Sequence, residues 1–579
     1  MKTRNLKLAI LLFPFLIAGC EKSDFLNDGK DTGGNEVTEE QFWNHRDWPR
    51  NFLNSAYSHL PDEYNLDGDG ALLASASDEA VNSNPNSSVN WINNGSWGPG
   101  RTFNDVYADM YEGIRKTNVF LENIERAKAI VPVKEEATEE LNENSYGRTI
   151  ERLKGQAYFL RAFYHFELLK RYGGVPVLNR SFEASEDPNV PKNEYDEVVR
   201  QIVMDCDSAA TRLPLWHGTW DAAFRGRATK AAAQALKSRT LLYAASPLNN
   251  ENNSQEKWQA AAQATRDFIL DAAGANSHRI HSNYSQVFTQ VYNPEYIFGT
   301  RVDNRNDIEA NNAPVSYNGG KGRTNPTQEM VDAFEVKVGN NSYAISDPAS
   351  GYTDQNLTLN RDPRLALSVI INGSSWKGTP LVETFVGGKD GLNGGVNYTR
   401  SGYYLRKFMQ SAVNYNVTPA SNARRPWILF RYAEILLNYA EAVNELAGPD
   451  ALPTASDAKA FPLTARAAIN QVRARTGIAM PPIPIGLSKD AMRERIKNER
   501  RVELCFEGHR FYDVRRWKEG EKYLNKPVTG MRITKNANNT FNYQRFPIET
   551  RVFEEKNYRF PFSLTDINRQ PALIQNKGY

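Results

Sequence analysis

Apolar positions along this chain fall mostly at helical spacing. Val106, Met110, Ile114, Val119 and Leu121 follow a mostly helical pattern and predict a helix over 103–129. Over 149–172 the apolar residues are too many for a single stripe, so that helix belongs at the centre of a helical core and stops at Gly173-Gly174 ahead of Pro176. Helical periods return over 195–213, 227–245 and 255–272, the middle one Ala-rich and suited to close helix approach. Two more are predicted at 426–446 and 464–476. Thr38-Glu39-Glu40-Gln41 reads as a capping box, opening a helix with Phe42, Trp43, Phe52, Leu53 and Tyr57 and a kink at Pro49. Successive hairpins of roughly 35 to 45 residues suit a stacked tetratricopeptide-like array.

Two stretches break the pattern. Residues 61–100 are loop-like and rich in Asn, Ser, Gly and Asp, and 296–422 alternates Gly-Gly and Asn-Gly turns with short runs such as 365–371 and 403–408. The fold class is therefore all-α dominated, a superhelix of helical pairs with loop-rich, short-strand insertions. The stretch 493–517, RERIKNERRVELCFEGHRFYDVRRW, predicts a long helix with Ser488 as N-cap and an end or kink at Gly508. Its stripe mixes Ile496, Leu504, Phe511 and Val514 with Arg500, Glu503 and Glu507. Two readings follow: a structural ion-pair network, or an acid/base centre on Glu503, Glu507 and Asp513.

Composition narrows the function classes. Formal charge is +2 with acids and bases interspersed, which disfavours nucleic acid as a partner. Lys2, Arg4 and Lys7 precede an apolar run from Leu8 to Ile17 that reads as a signal peptide, being short for a bilayer span. It ends Ile17-Ala18-Gly19-Cys20, which looks like a bacterial lipobox, with Cys20 as the lipidated first residue of the mature chain. Cys206 and Cys505 then remain, as buried thiols or as one bridge. Metal and cofactor chemistry are not expected. The seven histidines are scattered with only His278 and His281 close, and Asp67-Gly68-Asp69-Gly70 departs from a calcium loop at Ala71 and Asp78.

Several segments, taken in order, resemble one family, the SusD/RagB outer-membrane nutrient-binding lipoproteins of Bacteroidetes. They are YEGIRKTN at 111–118, AYFLRAFYHFELLKRYGGVP at 157–176, TKAAAQALKSRTLLYA at 229–244, Asn325-Pro326-Thr327, Asp362-Pro363-Arg364, RYAEILLNYAEA at 431–442, 499–517 and the terminal QNKGY. The resemblance implies four tetratricopeptide-like helix pairs, a ligand face of loops and short strands, and no enzymatic activity. It also implies a SusC-like TonB-dependent transporter as partner. Glu21, Asp24 and Asp28 resemble the signal that sends such lipoproteins to the cell surface of the outer membrane. The domain plan expected is a signal peptide (1–19), a lipid-anchored tether (20–37), an N-terminal helical region (38–295) and a C-terminal RagB/SusD region (296–579) with its irregular insertion at 296–422.

A saccharide site calls for aromatic faces to stack sugar C–H groups and amides or guanidinium groups to read hydroxyls. NWINNGSWGPGR, residues 90–101, offers Trp91, Trp97, Asn93, Asn94 and Arg101 on one Gly-containing loop, with Asp78 in the segment before it. Trp216 and Trp220 form a second pair that could flank a groove or cap a helical hairpin; Tyr296, Trp376 and Tyr398 lie in or near the irregular region. The leading expectation is capture of oligosaccharide or polysaccharide. The alternatives are peptide capture, a surface glycoside hydrolase with two carboxylates about 5 to 10 Å apart, and a pure tetratricopeptide interaction scaffold.

Overall fold

The computed structural model describes residues 37–579 apart from 67, 133, 135–142, 184, 187–188 and 217–224. The signal peptide, Cys20 and nearly all of the tether lie outside the described residues, as do Asp67 and Trp220.

Helices dominate. The capping box at Thr38 forms, with Gln41 answering it, and opens α1 (Glu39–Trp43); Pro49 sits in the first turn of a separate α2 (Trp48–Ala56) instead of kinking one helix. After a short α3 (Val89–Asn93) come α4 (Tyr107–Asn123), α5 (Glu143–Tyr172), α6 (Tyr195–Arg212), α7 (Lys230–Ala245) and α8 (Gln255–Gly274). The C-terminal part adds α9 (Tyr432–Ala447), α10 (Ala465–Arg473), α11 (Lys489–Glu503) and α12 (His509–Arg516). Each of α4 to α8 packs on the next, and α9 packs on α8, α10 and α11, so consecutive helices stack as pairs. In α5 the side chains of Phe159, Leu160, Phe163, Phe166, Leu168 and Leu169 are all fully buried, which is why no polar stripe could be read along it. It ends at Gly173 with φ +80°, and a Cβ on Gly174 would lie 2.3 Å from the Asn193 carbonyl oxygen.

Two predicted helices are interrupted. The run at 426–446 begins as a strand, Ile428–Arg431, because that segment pairs antiparallel with Tyr296–Gly299; the helix starts only at Tyr432. The stretch 493–517 divides where Phe506 and Gly508 take φ values of +64° and +80°, between α11 and α12. The other short pairings are Ala80–Asn82 with Thr324–Pro326, and Val369–Ile370 with Tyr404–Leu405, the latter joining the two short runs of the irregular region. A long hairpin, Pro527–Lys535 with Phe541–Thr550, has no counterpart in the sequence reading. Cys206 and Cys505 are both buried and unbridged.

Candidate functional site

Of the acids at 499–513, Glu499, Glu503 and Asp513 are enclosed, and the Glu507 side chain is nearly so. Glu503 accepts from Arg364 (2.9 Å), Arg431 (2.8 Å) and Arg475 (2.6 Å), and Glu295 bridges Arg431 and Arg475 at 2.7 Å each. Arg364 also meets Glu499 at 2.6 Å, Lys407 and Arg431 take Glu507, and Asp513 accepts from Arg500 (3.2 Å) and Arg516 (2.8 Å). Burial pushes the Glu503 carboxyl up, but Arg475, Arg431 and Arg364 outweigh it and hold the group well below the usual carboxylate range. These carboxylates are acceptors inside a scaffold that clamps α11 and α12 to α9 and the loops around Glu295, Arg364 and Arg475. The ion-pair reading of this stretch is the one the geometry supports.

The Asn-rich loop lies elsewhere. The 80–82 strand pairs with 324–326, which places Ser83 beside Arg323. Arg323 donates to Ser83 Oγ (3.2 Å) and Asn397 Oδ1 (2.9 Å), and Arg400 donates to the Asn82 carbonyl (3.0 Å) and pairs with Glu549 (2.9 Å). Asp69 accepts from the side chains of Asn82 and Asn84, the latter at 3.1 Å. Through these bonds the loop at 82–101 is tied to the Tyr398 loop and to the end of the long hairpin. None of Asn84, Arg323, Asn397, Arg400 or Glu549 was singled out from sequence; only their position beside predicted aromatics could have pointed to them.

Along the loop itself the predicted residues divide. Trp91 is half-buried, with the Arg101 guanidinium carbon 5.2 Å from its ring centroid. Arg101 is exposed and held by a tight turn: its N–H donates to the Gly98 carbonyl (2.9 Å) and its carbonyl accepts from Gly98 (3.1 Å). No carboxylate lies within ion-pair distance of Arg101 among the described residues. Asn94 is exposed, its Oδ1 accepting from the Ser96 amide at 3.0 Å. Val552, whose N–H donates to the Asn93 carbonyl, and Leu564, whose N–H donates to the Pro99 carbonyl, are 40% and 54% exposed beside this loop.

Four expectations are corrected by burial. Asp78 is enclosed and takes Arg510 through both oxygens (2.8 and 2.9 Å) and Arg501 at 2.9 Å. Burial raises its pKa, yet Arg501 and Arg510 outweigh this and hold it far below the ordinary aspartate range, so it reads no ligand hydroxyl. Asn93 is buried and donates to the Ser75 carbonyl (2.9 Å) and to Glu549 (3.3 Å). Trp97 is 3% exposed, edge-on to Phe560 (5.0 Å) and Tyr579 (5.9 Å). Trp376 is buried as well. Asn93 and Trp97 anchor the loop from behind. Tyr398 is half-buried on the neighbouring loop, while Trp216, 44% exposed, lines a separate cavity together with Tyr296, whose own ring is buried.

The chain is a helix-pair scaffold carrying a loop-built face tied to its hairpin, and no helix among the described residues is long and apolar enough to cross a membrane. The model described as SusD family matches residues 275–579, and one described as starch-binding associating with outer membrane matches 48–242. The chain belongs to the SusD family. SusD-like protein P25 of Formosa agariphila is 26% identical over 428 residues, 71% of this chain and 70% of that protein. A SusD-like protein of Bacteroides fragilis superposes with TM-score 0.74 at 26% identity, over 95% of this chain and all of that one. A laminarin-binding SusD-like protein shares the fold at TM-score 0.63 and 20% identity, over 92% of this chain and 99% of its own.

Proposed function

We propose that this chain is a cell-surface lipoprotein, anchored through Cys20, that captures oligosaccharides and passes them to a SusC-like TonB-dependent transporter in the outer membrane. The observation that carries the reading is the half-buried Trp91 ring with the Arg101 guanidinium over it, on a loop that also exposes Asn94 and whose other indole, Trp97, is locked into the core. A sugar ring stacks its C–H face on Trp91, while Arg101 and the Asn94 amide take hydroxyls. Two proteins that share this fold, a laminarin-binding SusD-like protein and a surface glycan-binding protein of Bacteroides fluxus, point the same way.

The chain acts by binding, without catalysis. A glycoside hydrolase needs two carboxylates about 5 to 10 Å apart on either side of an open cleft. Glu499, Glu503, Glu507 and Asp513 are instead buried among guanidinium and ammonium groups, and Asp78 is enclosed by two arginines. Import energy therefore comes from the partner transporter.

The test is native affinity electrophoresis of the mature chain against plant, fungal and host polysaccharides, with reducing ends assayed in parallel. Retardation by one glycan, lost in Trp91→Ala with no new reducing ends, is the expected result. New reducing ends that persist through repurification would overturn the non-catalytic reading. Retardation unchanged in Trp91→Ala would move the site away from this loop.

A further inference from the structure

The cavity beside Trp216 has a chemistry of its own. It measures about 310 Å³, and its walls include Trp216, Arg225, Asn276, Arg279, Tyr292 and Tyr296. The Trp216 end is fixed, because the carbonyls of Pro214 and Leu215 accept from the first amides of α7, Lys230 N (2.8 Å) and Ala231 N (3.2 Å). The opposite wall is fixed by the Arg279 amide, which donates to the Pro294 carbonyl at 3.1 Å. Tyr292 stands edge-on to Tyr296 at 5.4 Å and 84°. Its φ is +56°, a backbone state that a bulky aromatic residue rarely adopts and that clusters at binding sites.

Among the described residues the charge on this cavity is one-sided, and no Asp or Glu lines it. Arg225 and Arg279 are exposed, and among the described residues neither has a carboxylate within ion-pair distance. Burial raises the pKa of the Tyr292 hydroxyl, and the charges of Arg424 and Arg225 oppose it; Arg424 is likewise exposed and without an acid partner among the described residues. Elsewhere on the surface, Arg115, Arg126, Arg180 and Arg301 each hold a Glu or Asp. His278 adds no charge near neutrality, since burial holds its imidazole down at about 4. Aromatic walls, amide and hydroxyl groups from Asn276 and Thr229, and guanidinium groups without counterions among the described residues match a ring that has an apolar face, hydroxyls and a negative substituent.

We propose that this cavity is a second saccharide site, selective for a sugar carrying a carboxylate or sulfate ester, with Trp216 and Tyr292 as walls and Arg225 and Arg279 as the anion-reading pair. It stands independently of the Trp91 loop. Calorimetry on the detergent-solubilised full-length lipoprotein carrying Trp91→Ala tests it, since that background removes the first site. The probes are tetragalacturonate and a sulfated carrageenan tetrasaccharide, with maltotetraose, a hexaglutamate peptide and sodium sulfate as controls. Binding of at least one acidic saccharide is expected, weakening as salt rises and falling at least tenfold in both Arg225→Gln/Arg279→Gln and Trp216→Ala at unchanged melting temperature. The proposal is overturned if neither acidic saccharide binds, or if the double glutamine variant binds as tightly as its parent. It is equally overturned if maltotetraose, the peptide or sulfate alone binds as tightly as the acidic saccharides.

Discussion

The two Arg-rich regions of this protein use the same side chain in opposite ways. Around α11 and α12, every guanidinium facing Glu503 is buried and matched by carboxylates, and Glu503 alone receives three of them. At the Trp91 loop and at the Trp216 cavity, arginines stand in solvent beside aromatic rings without an acid partner among the described residues. A charge enclosed with its counterion fixes geometry; a charge left open beside a flat apolar ring is available to a ligand. The difference lies in saturation, and residue type alone does not reveal it.

The strongest way to break the comparison is to unbalance the enclosed region. Glu503→Ala leaves Arg364, Arg431 and Arg475 buried with one acceptor fewer, and removing one partner of a buried pair costs about 3–5 kcal/mol. Denaturant unfolding of this variant is expected to show at least that loss, together with low soluble yield. Stability within about 1 kcal/mol of the parent would mean that the network relaxes or hydrates, and that it does not set the geometry of α11 and α12.

Within the loop, the comparison sharpens to two tryptophans six positions apart. Trp97→Ala empties a packed site between Phe560 and Tyr579 and is expected to cost about 3–5 kcal/mol of stability. Trp91 packs on the core with only part of its ring, so Trp91→Ala is expected to cost clearly less stability than Trp97→Ala and to weaken glycan binding at least tenfold, about 1.4 kcal/mol. Equal stability losses in the two variants would make Trp91 another anchor.

Sequence alone could not have separated these two indoles. The partners that bury Trp97 lie at the far end of the chain, at 560 and 579, and the arginine that holds Asp78 is 432 positions away. Adjacency to an aromatic loop made Asp78 look like a ligand contact; long-range pairing made it scaffold. The helices were legible for the opposite reason, since α5 to α8 are set by apolar spacing and local caps such as Thr229 and Ser254. The strand at 428–431 was not, because its pairing partner at 296–299 overrides a locally helical pattern. The hairpin at 527–550 did carry a local signal: Ile533 and Met531 alternate with polar residues ahead of an Asn-rich turn.

The smallest effect concerns the pair Asp78 and Glu79, where two neighbouring carboxyls are pushed apart in pKa. Asp78 is held low by Arg501 and Arg510 against the cost of burial, so it stays ionised. Glu79 is raised to about 8, first by burial and then by the charge of Asp78, so it keeps its proton at neutral pH. Below the unfolded value, about 4.3 for glutamate, both states of Glu79 are protonated and no penalty arises. As pH rises from there to about 8, the unfolded chain has released the proton that the folded chain still holds, and stability falls with pH. Glu79→Gln cannot ionise and escapes that decline. Its melting temperature relative to the parent should therefore climb by about 1–3 °C between pH 5 and pH 8. The low-pKa carboxyls Asp78 and Glu503 lose their contribution only at more acidic pH and leave this window untouched. A difference that stays flat from pH 5 to 8 would mean that Glu79 is ionised in the folded protein and shares the Arg501 and Arg510 charges with Asp78.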